Sequence, residues 1–201
     1  MTVVLEPTTQ AALPAAVTMP DRYRFTAAQY QRLGAAGILG AEDRVELMDG
    51  EILAMGDIGH SHAAHVAWLT TLLARKSEAT MVVSTQNPLD LGQRYQPQPD
   101  LMLLREHADR YNSALPTAED VLLLVEVADS SLGYDQRIKL AVYAQAGIAE
   151  VWIVNLDAGQ VELYTQPQGA AYSTQRIVRR GETVAIGALP AVTLPADDIL
   201  L

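Results

Sequence analysis

The sequence contains no cysteine and few basic residues. Without cysteine there are no disulfides, thiolate zinc sites or cysteine nucleophiles, so any metal must be bound by oxygen or imidazole ligands. The 14 Lys and Arg residues against 24 Asp and Glu residues give a formal net charge of −10. Because phosphate binding draws on clusters of Lys and Arg, this charge argues against general affinity for nucleic acid. A locally basic cleft, or a metal that supplies positive charge, would still accommodate a phosphodiester.

Long apolar segments are also missing. No stretch of about 18 or more apolar residues occurs, and the first 20 residues lack the basic segment and the apolar run of a signal peptide. We therefore expect a cytoplasmic protein. Glycine-rich phosphate loops and nucleophile elbows are absent as well, which argues against nucleotide hydrolases and acyl-transfer enzymes.

The composition is that of a globular protein, with 49% hydrophobic and 19% charged residues among 201. Residues 1–21 are rich in Ala, Thr and Pro and show no periodicity, so we expect a flexible N-terminal arm. Residues 22–201 fit a single domain, because one core commonly serves about 100–200 residues.

Local patterns predict an alternation of helices and strands. A Thr26 cap predicts a helix that ends at the glycines 34 and 37, and Asp49-Gly50 predicts a hairpin turn between strands at 45–48 and 52–55. Apolar spacings of three and four predict a helix at 61–76. Further strands are expected at 80–85, 88–91, 100–104, 121–127, 150–155, 160–165 and 172–178, with another helix at 135–145.

Two carboxylates stand out from their apolar surroundings. Asp100 opens a short apolar strand after Pro99, and Glu126 lies within an almost wholly apolar strand. Carboxylates brought together at strand ends repel each other unless a cation or a proton intervenes, and a Mg2+-type ion takes such oxygen ligands. Alternatively, Asp100 caps a turn and Glu126 pairs with an arginine such as Arg44 or Arg137.

The chain has only two lysines, Lys76 and Lys139, in a sequence that otherwise uses arginine. A retained lysine suggests that a compact ammonium is needed at its position. On a helix, Lys139 shares its face with the apolar positions three, four and seven residues further on, so we expect it to point inward. The alternative is an exposed lysine that pairs with Asp135.

Five motifs occur in a fixed order: Arg44-Val45-Glu46-Leu47-Met48-Asp49-Gly50-Glu51-Ile52, Gln98-Pro99-Asp100-Leu101, Glu126-Val127-Ala128-Asp129-Ser130-Ser131, Tyr134-Asp135 with Lys139 and Tyr143, and Gly147-Ile148-Ala149-Glu150-Val151-Trp152. Over roughly residues 22–198 this set resembles the Uma-type endonucleases, a bacterial family of the PD-(D/E)XK nuclease superfamily. The ordered set is far more specific than any one motif.

The resemblance implies an α/β, restriction-endonuclease-like fold, a mixed β-sheet flanked by helices. Asp100 matches the acid of the PD motif, Glu126 the second acid and Glu46 an additional upstream acid. The lysine that the superfamily places two residues after the second acid is replaced by Ala128. Lys139 resembles the migrated lysine of this branch.

The resemblance also implies a set of roles. Asp100, Glu126 and the carbonyl of Val127 would bind Mg2+ or Mn2+, which polarises the phosphate and activates water. Lys139 would orient or deprotonate the water and offset charge at phosphorus. Glu46 would bind a second metal or hydrogen-bond a water.

Two further residues are candidates to line the site. His60, His62 and His65 cluster without a recognised zinc spacing. His62 lies where the family often has a histidine, so it either lines the site or acts at the helix end. His60 and His65 are expected to be surface or packing residues. Tyr143 is expected to pack against Lys139.

The resulting hypothesis is a metal-dependent endonuclease that hydrolyses phosphodiester bonds of DNA, with RNA kept open as a substrate. The alternative is a non-catalytic binding or assembly module that retains the nuclease fold, as the charge of −10 suggests. We also expect a homodimer, because symmetric dimers are the commonest oligomers.

Overall fold

The computed structural model describes residues 20–40, 42–76 and 81–201. The predicted arm at 1–21 lies outside the described residues except for Pro20 and Asp21, which belong to neither a helix nor a strand. In the described part of the chain, no helix is both long and apolar enough to cross a membrane.

Ten strands, four helices and a short 3-10 helix at Ala118–Asp120 make up the described fold. The strands are β1 Val45–Met48, β2 Glu51–Ala54, β3 Met81–Thr85, β4 Leu101–Arg105, β5 Val121–Ala128, β6 Glu150–Asn155, β7 Gln160–Gln168, β8 Ala171–Arg179, β9 Thr183–Ile186 and β10 Leu189–Pro195. The helices are α1 Ala27–Ala35, α2 His60–Lys76, α3 and α4 Ala196–Ile199. Helix α3 has three consecutive segments, Leu132–Tyr134, the π-helical Asp135–Lys139 and Leu140–Gln145.

The central sheet has six strands in the order β3-β4-β5-β6-β7-β8. Strands β5 and β6 pair in parallel and the other neighbours pair antiparallel, so the sheet is mixed. A parallel pair needs a crossover, and α3 provides it between β5 and β6. The predicted α/β fold with a mixed, helix-flanked sheet is confirmed.

Each face of the sheet has its own core, because side chains alternate along a strand. On one face, Leu123 and Val125 of β5 pack with α2 residues such as Leu69. On the other face, Leu124 and Ala128 pack with residues of α3. Glu126 has the same parity as Leu124 and Ala128, so the strand register turns its carboxylate towards α3.

The hairpin of β1 and β2 is docked beside the chain that leads into β4. Asp49 and Gly50 both have positive φ angles, 48° and 73°, as two-residue hairpin turns require. A Cβ at Gly50 would come within 2.8 Å of the Phe25 carbonyl oxygen, so glycine is needed here for space as well. Leu47 forms a bridge with Gln96, which brings the hairpin and its Glu46 against the segment before Asp100.

Most predicted elements are present, including the Thr26 cap, whose side chain accepts from the Gln29 N–H at 3.2 Å. The strand predicted at 88–91 is wrong. Leu89 donates its N–H to the Pro97 carbonyl at 2.9 Å and Asp90 forms an isolated bridge, so this segment is a loop in which Leu89 is buried. The hairpin β9–β10 and helix α4 were not predicted, and α3 begins three residues earlier than expected.

Candidate active site

Asp100 and Glu126 meet at the end of the β4–β5 pair. Leu101 pairs with Val125, so the residue before β4 lies beside the residue after Val125. The Asp100 N–H is 3.4 Å from Glu126 Oε2. Both acids are buried, with 7% and 3% of their surface exposed. The topology therefore brings the two predicted acids together.

The backbone of Val127 faces the same point. Its N–H donates to Asp100 Oδ2 at 2.9 Å. In a strand, the N–H and the C=O of one residue face the same neighbour. The next carbonyl, that of Ala128, faces the other way and accepts from Leu156 N at 3.0 Å. The Val127 carbonyl is thus directed to the side of Asp100.

Lys139 reaches the acids from the π-helical segment of α3. The Leu140 N–H bonds to the Asp135 carbonyl five residues back, which widens the helix and is typical of functional sites. The Lys139 Nζ lies 3.0 Å from Glu126 Oε1, 3.7 Å from Glu46 Oε2 and 4.0 Å from Asp135 Oδ1. Lys139 is 5% exposed and does not extend into water. Glu126 is thus paired with this lysine and not with an arginine.

Two tyrosines orient the carboxylates around Lys139. Tyr143 is fully buried one turn further along α3, and its hydroxyl donates to Glu126 Oε1 at 2.6 Å. The Tyr134 hydroxyl donates to Glu46 Oε1 at 2.8 Å. Glu46 also accepts from the Gln98 N–H at 3.2 Å. Each acid is therefore held in one orientation.

Two side chains hold Asp100 from its other sides. His62, in the first turn of α2, has its Nε2 3.0 Å from Asp100 Oδ2. Gln86 donates its Nε2 to Asp100 Oδ1 at 3.2 Å. Of the other two histidines of the cluster, His60 is exposed and His65 bonds to the carbonyls of Ser61 and Leu200.

The electrostatics of the cluster favour added positive charge. Burial raises the pKa of Glu126 to about 8, although Lys139 opposes this shift. Burial would lower the pKa of Lys139, but Glu126, Glu46 and Asp135 outweigh it and raise that pKa, so the ammonium stays charged. Burial would raise the pKa of Asp100, but the contacts with His62, Val127 N–H and Lys139 together lower it. Burial also raises the pKa of Asp135, so Glu126 and Asp135 are the two acids of the cluster whose burial is not fully compensated.

These residues line a cavity of about 650 Å³, which we call the carboxylate cavity. Its wall carries more acids than bases: Glu46, Asp57, Asp100, Glu126, Asp129 and Asp135 against Arg44 and Lys139, with His62 beside them. No three Asp, Glu or His side chains within the described ranges form a ready ligand set. A cation would thus bind through two carboxylates, backbone oxygen and water, which is how Mg2+ is usually bound. The oxygen donors present fit such an ion.

Residues 27–197 match the model of the Uma2 family, described as "Putative restriction endonuclease". The chain belongs to the Uma2 family. No curated protein matches the chain significantly. The fold is similar to the crystal structure of a "putative nuclease belonging to DUF820" from Anabaena variabilis, with a TM-score of 0.70 at 13% sequence identity, covering 88% of this chain and 97% of that one. This likeness shows that the two chains share a fold.

Several residues of this Uma2 site were not predicted from the sequence. Asp135 belongs to the Tyr134-Asp135 motif but was assigned no role beyond that of an exposed partner of Lys139, yet it is buried and accepts from the Ser131 hydroxyl at 2.6 Å. Tyr134 belongs to the family motif, which was the one available signal for its contact with Glu46. Gln86 had no signal in the sequence, because its contact depends on a left-handed backbone with φ 50°.

Proposed function

We propose that the protein is a metal-dependent endonuclease that hydrolyses phosphodiester bonds of DNA, and that Asp100, Glu126, Lys139 and Glu46 are its catalytic residues. The observation that carries the proposal is the contact of Lys139 with Glu126 at 3.0 Å, beside Asp100 and inside one cavity. Membership of the Uma2 family supports the same chemistry.

Asp100, Glu126 and the Val127 carbonyl would hold Mg2+ or Mn2+. When bound, such an ion supplies Lewis-acid polarisation of the phosphate and of water. Its charge would also offset the burial, and the repulsion by Asp135 and Asp100, that raise the pKa of Glu126. His62 and Gln86 hold the Asp100 carboxylate in place by hydrogen bonds.

Lys139 acts here as a fixed positive charge. Its raised pKa keeps the Nζ protonated, so it donates hydrogen bonds and stabilises negative charge on the phosphate instead of removing a proton in the free protein. Tyr143 and Lys139 share Glu126 Oε1 as acceptor, which leaves Oε2 directed to Asp100. Glu46, held by Tyr134, orients water at the border of the cavity.

A cleavage assay tests this function. Single- and double-stranded DNA and RNA are incubated with Mg2+ or Mn2+, with and without EDTA. We expect cleavage of DNA that requires the cation. Cation-dependent cleavage that survives both Asp100→Ala and Lys139→Ala unchanged would rule the assignment out. Absence of both cleavage and calorimetric cation binding would favour the non-catalytic binding module.

Binding of the cation should also stabilise the folded protein. At a Mn2+ concentration 100 times its Kd, the free energy of unfolding of the wild type should rise by about 2.7 kcal/mol, because the ion binds only the folded protein. Asp100→Asn removes one ligand charge and should abolish the rise. Asp157→Asn, at an exposed position outside the carboxylate cavity, is the control and should keep it. Urea unfolding with and without Mn2+ measures the free energy of unfolding of both variants. An equal rise of this free energy in Asp100→Asn and Asp157→Asn would contradict the ligand assignment.

The homodimer and the cytoplasmic location stay predictions. Light scattering that reports a monomer at micromolar concentration would remove the homodimer.

A further inference from the structure

A second cavity of about 450 Å³ adjoins the carboxylate cavity, and we call it the glutamine cavity. Arg44, Met55 and Gln98 line both cavities. Gln86 lines the glutamine cavity and also donates to Asp100. A molecule could therefore extend from one cavity to the other. The volume is within the range of about 300–1,000 Å³ for small-molecule sites.

The two cavities differ in chemistry. The glutamine cavity is lined by Gln31, Gln86, Gln96 and Gln98, and its one acid, Asp43, accepts from Gly40 N at 2.7 Å. Each amide offers a hydrogen-bond donor beside an acceptor, as the edge of a nucleobase does. The glutamine cavity thus matches a neutral, polar planar group, whereas the carboxylate cavity matches a cation.

Gln31 and Gln96 keep free hydrogen-bonding groups. Gln31 Nε2 donates to Gln96 Oε1 at 2.9 Å, which fixes both amides. Among the described residues, Gln31 Oε1 and Gln96 Nε2 have no side-chain or backbone partner. This pair therefore presents one acceptor and one donor side by side.

Arg44 stands where the two cavities meet. It is the one Lys or Arg among the residues that line the glutamine cavity, and its Nη1 is held by the Gly56 carbonyl at 2.5 Å. The remaining guanidinium donors are suited to a phosphate oxygen. A phosphate at Arg44 would lie between a base in the glutamine cavity and a neighbouring phosphate in the carboxylate cavity.

From this arrangement we infer that the glutamine cavity is a nucleotide subsite, in which one unpaired base contacts Gln31 and Gln96 while its phosphate contacts Arg44. The inference rests on the proposed function and adds the substrate class, a single strand or an unpaired end. A base that remains paired in a duplex is not free to enter a cavity. The glutamine cavity is lined by one arginine and the chain has a net charge of −10, so we expect few contacts with phosphates. A protein that binds a DNA duplex through its phosphates makes about 6–10 such contacts.

Fluorescence anisotropy of the full chain tests the subsite. The probes are a fluorescein-labelled 12-nucleotide DNA single strand, the RNA of the same sequence and the corresponding DNA duplex, each with Ca2+ in place of Mg2+. We expect the single strand to bind at least about tenfold more tightly than the duplex, because only an unpaired base enters the cavity. Comparison of DNA with RNA shows which sugar the cavity prefers.

Two variants and two controls make the test specific. Arg44→Ala and Gln31→Leu should each weaken single-strand binding by about five- to tenfold, since each removes one contact of the nucleotide. Arg75→Ala and Gln145→Leu change exposed residues outside both cavities and should bind as the wild type does. Duplex binding as tight as single-strand binding, or variants that match the controls, would overturn the subsite.

DNA cleavage is measured separately, so that a failure of the subsite can be distinguished from a failure of the endonuclease assignment. If Arg44→Ala and Gln31→Leu cut single strands at the wild-type rate, the subsite is refuted and the endonuclease assignment stands. If the wild type cuts nothing but binds single strands through Arg44 and Gln31, the subsite stands and the endonuclease assignment fails.

Discussion

Lys139→Met is expected to lower the rate of DNA cleavage by about 10²–10⁴-fold, the contribution that a positioned charged side chain commonly makes. Methionine keeps the length of the side chain and removes the ammonium that lies 3.0 Å from Glu126. The negative charge that develops on the phosphate in the transition state then has no fixed ammonium beside it. The rate is measured under single-turnover conditions with Mn2+, and circular dichroism in the same buffer gives the folded fraction.

Lys76→Met is the matched control, because the chain has only these two lysines. Lys76 is exposed at the end of α2 and does not line the carboxylate cavity. Its substitution makes the same change of charge and should leave the rate within about twofold, since a lone surface charge contributes little. Equal rates for the two variants would show that Lys139 has no part in the chemistry.

The fold was predictable where one local signal determines one element. The Thr26 cap, the Asp49-Gly50 turn and the apolar strand that contains Glu126 each match an observed element. The prediction for segment 88–91 failed because the alternation of Leu89 and Leu91 with other residues is compatible with a strand, whereas the bond from the Leu89 N–H to the Pro97 carbonyl holds the segment as a loop. Strands β9 and β10 were missed because β9 is only four residues long and β10 contains two prolines and has no regular alternation of exposed and buried residues.

The positions of the site residues were predictable in outline, because strand order and helix periodicity bring Asp100, Glu126 and Lys139 to one place. Their detailed contacts were not. The π-helical turn has no recognisable sequence pattern, and it is this turn that buries Asp135 together with Lys139. The roles of these residues remain predictions until cleavage and cation binding are measured.

Lys139 also contributes to the free energy of unfolding when no divalent cation is present. It is the one ammonium beside three buried carboxylates, Glu126, Glu46 and Asp135. Removing one partner of a buried ion pair leaves an uncompensated charge and costs about 3–5 kcal/mol.

The loss of stability caused by Lys139→Met should increase with pH. Without the ammonium, the pKa of Glu126 rises beyond the value of about 8 to which burial already raises it. An acid with a raised folded-state pKa stabilises the fold while protonated, and that stability falls as pH rises from the unfolded pKa towards the folded one. The wild type loses this stability in parallel up to its own Glu126 pKa of about 8, so the loss caused by Lys139→Met changes little between pH 5 and pH 7 and grows above pH 8.

A double-mutant cycle in EDTA at about pH 9.5, above the wild-type Glu126 pKa of about 8, isolates this interaction. Lys139→Met alone should lower the free energy of unfolding by about 3–5 kcal/mol. Adding Glu126→Gln removes the uncompensated charge but keeps an amide oxygen as acceptor for the Tyr143 hydroxyl, so the double variant should recover at least about 1.5 kcal/mol, within the range of coupling between contacting residues. Lys76→Met combined with Glu126→Gln is the control and should be additive within about 0.5 kcal/mol, because the two residues share no partner. Urea unfolding measures all variants. If Lys139→Met and Glu126→Gln are as additive as the control pair, the 3.0 Å contact contributes no pairwise stability, and Glu126 must already be neutral beside the lysine.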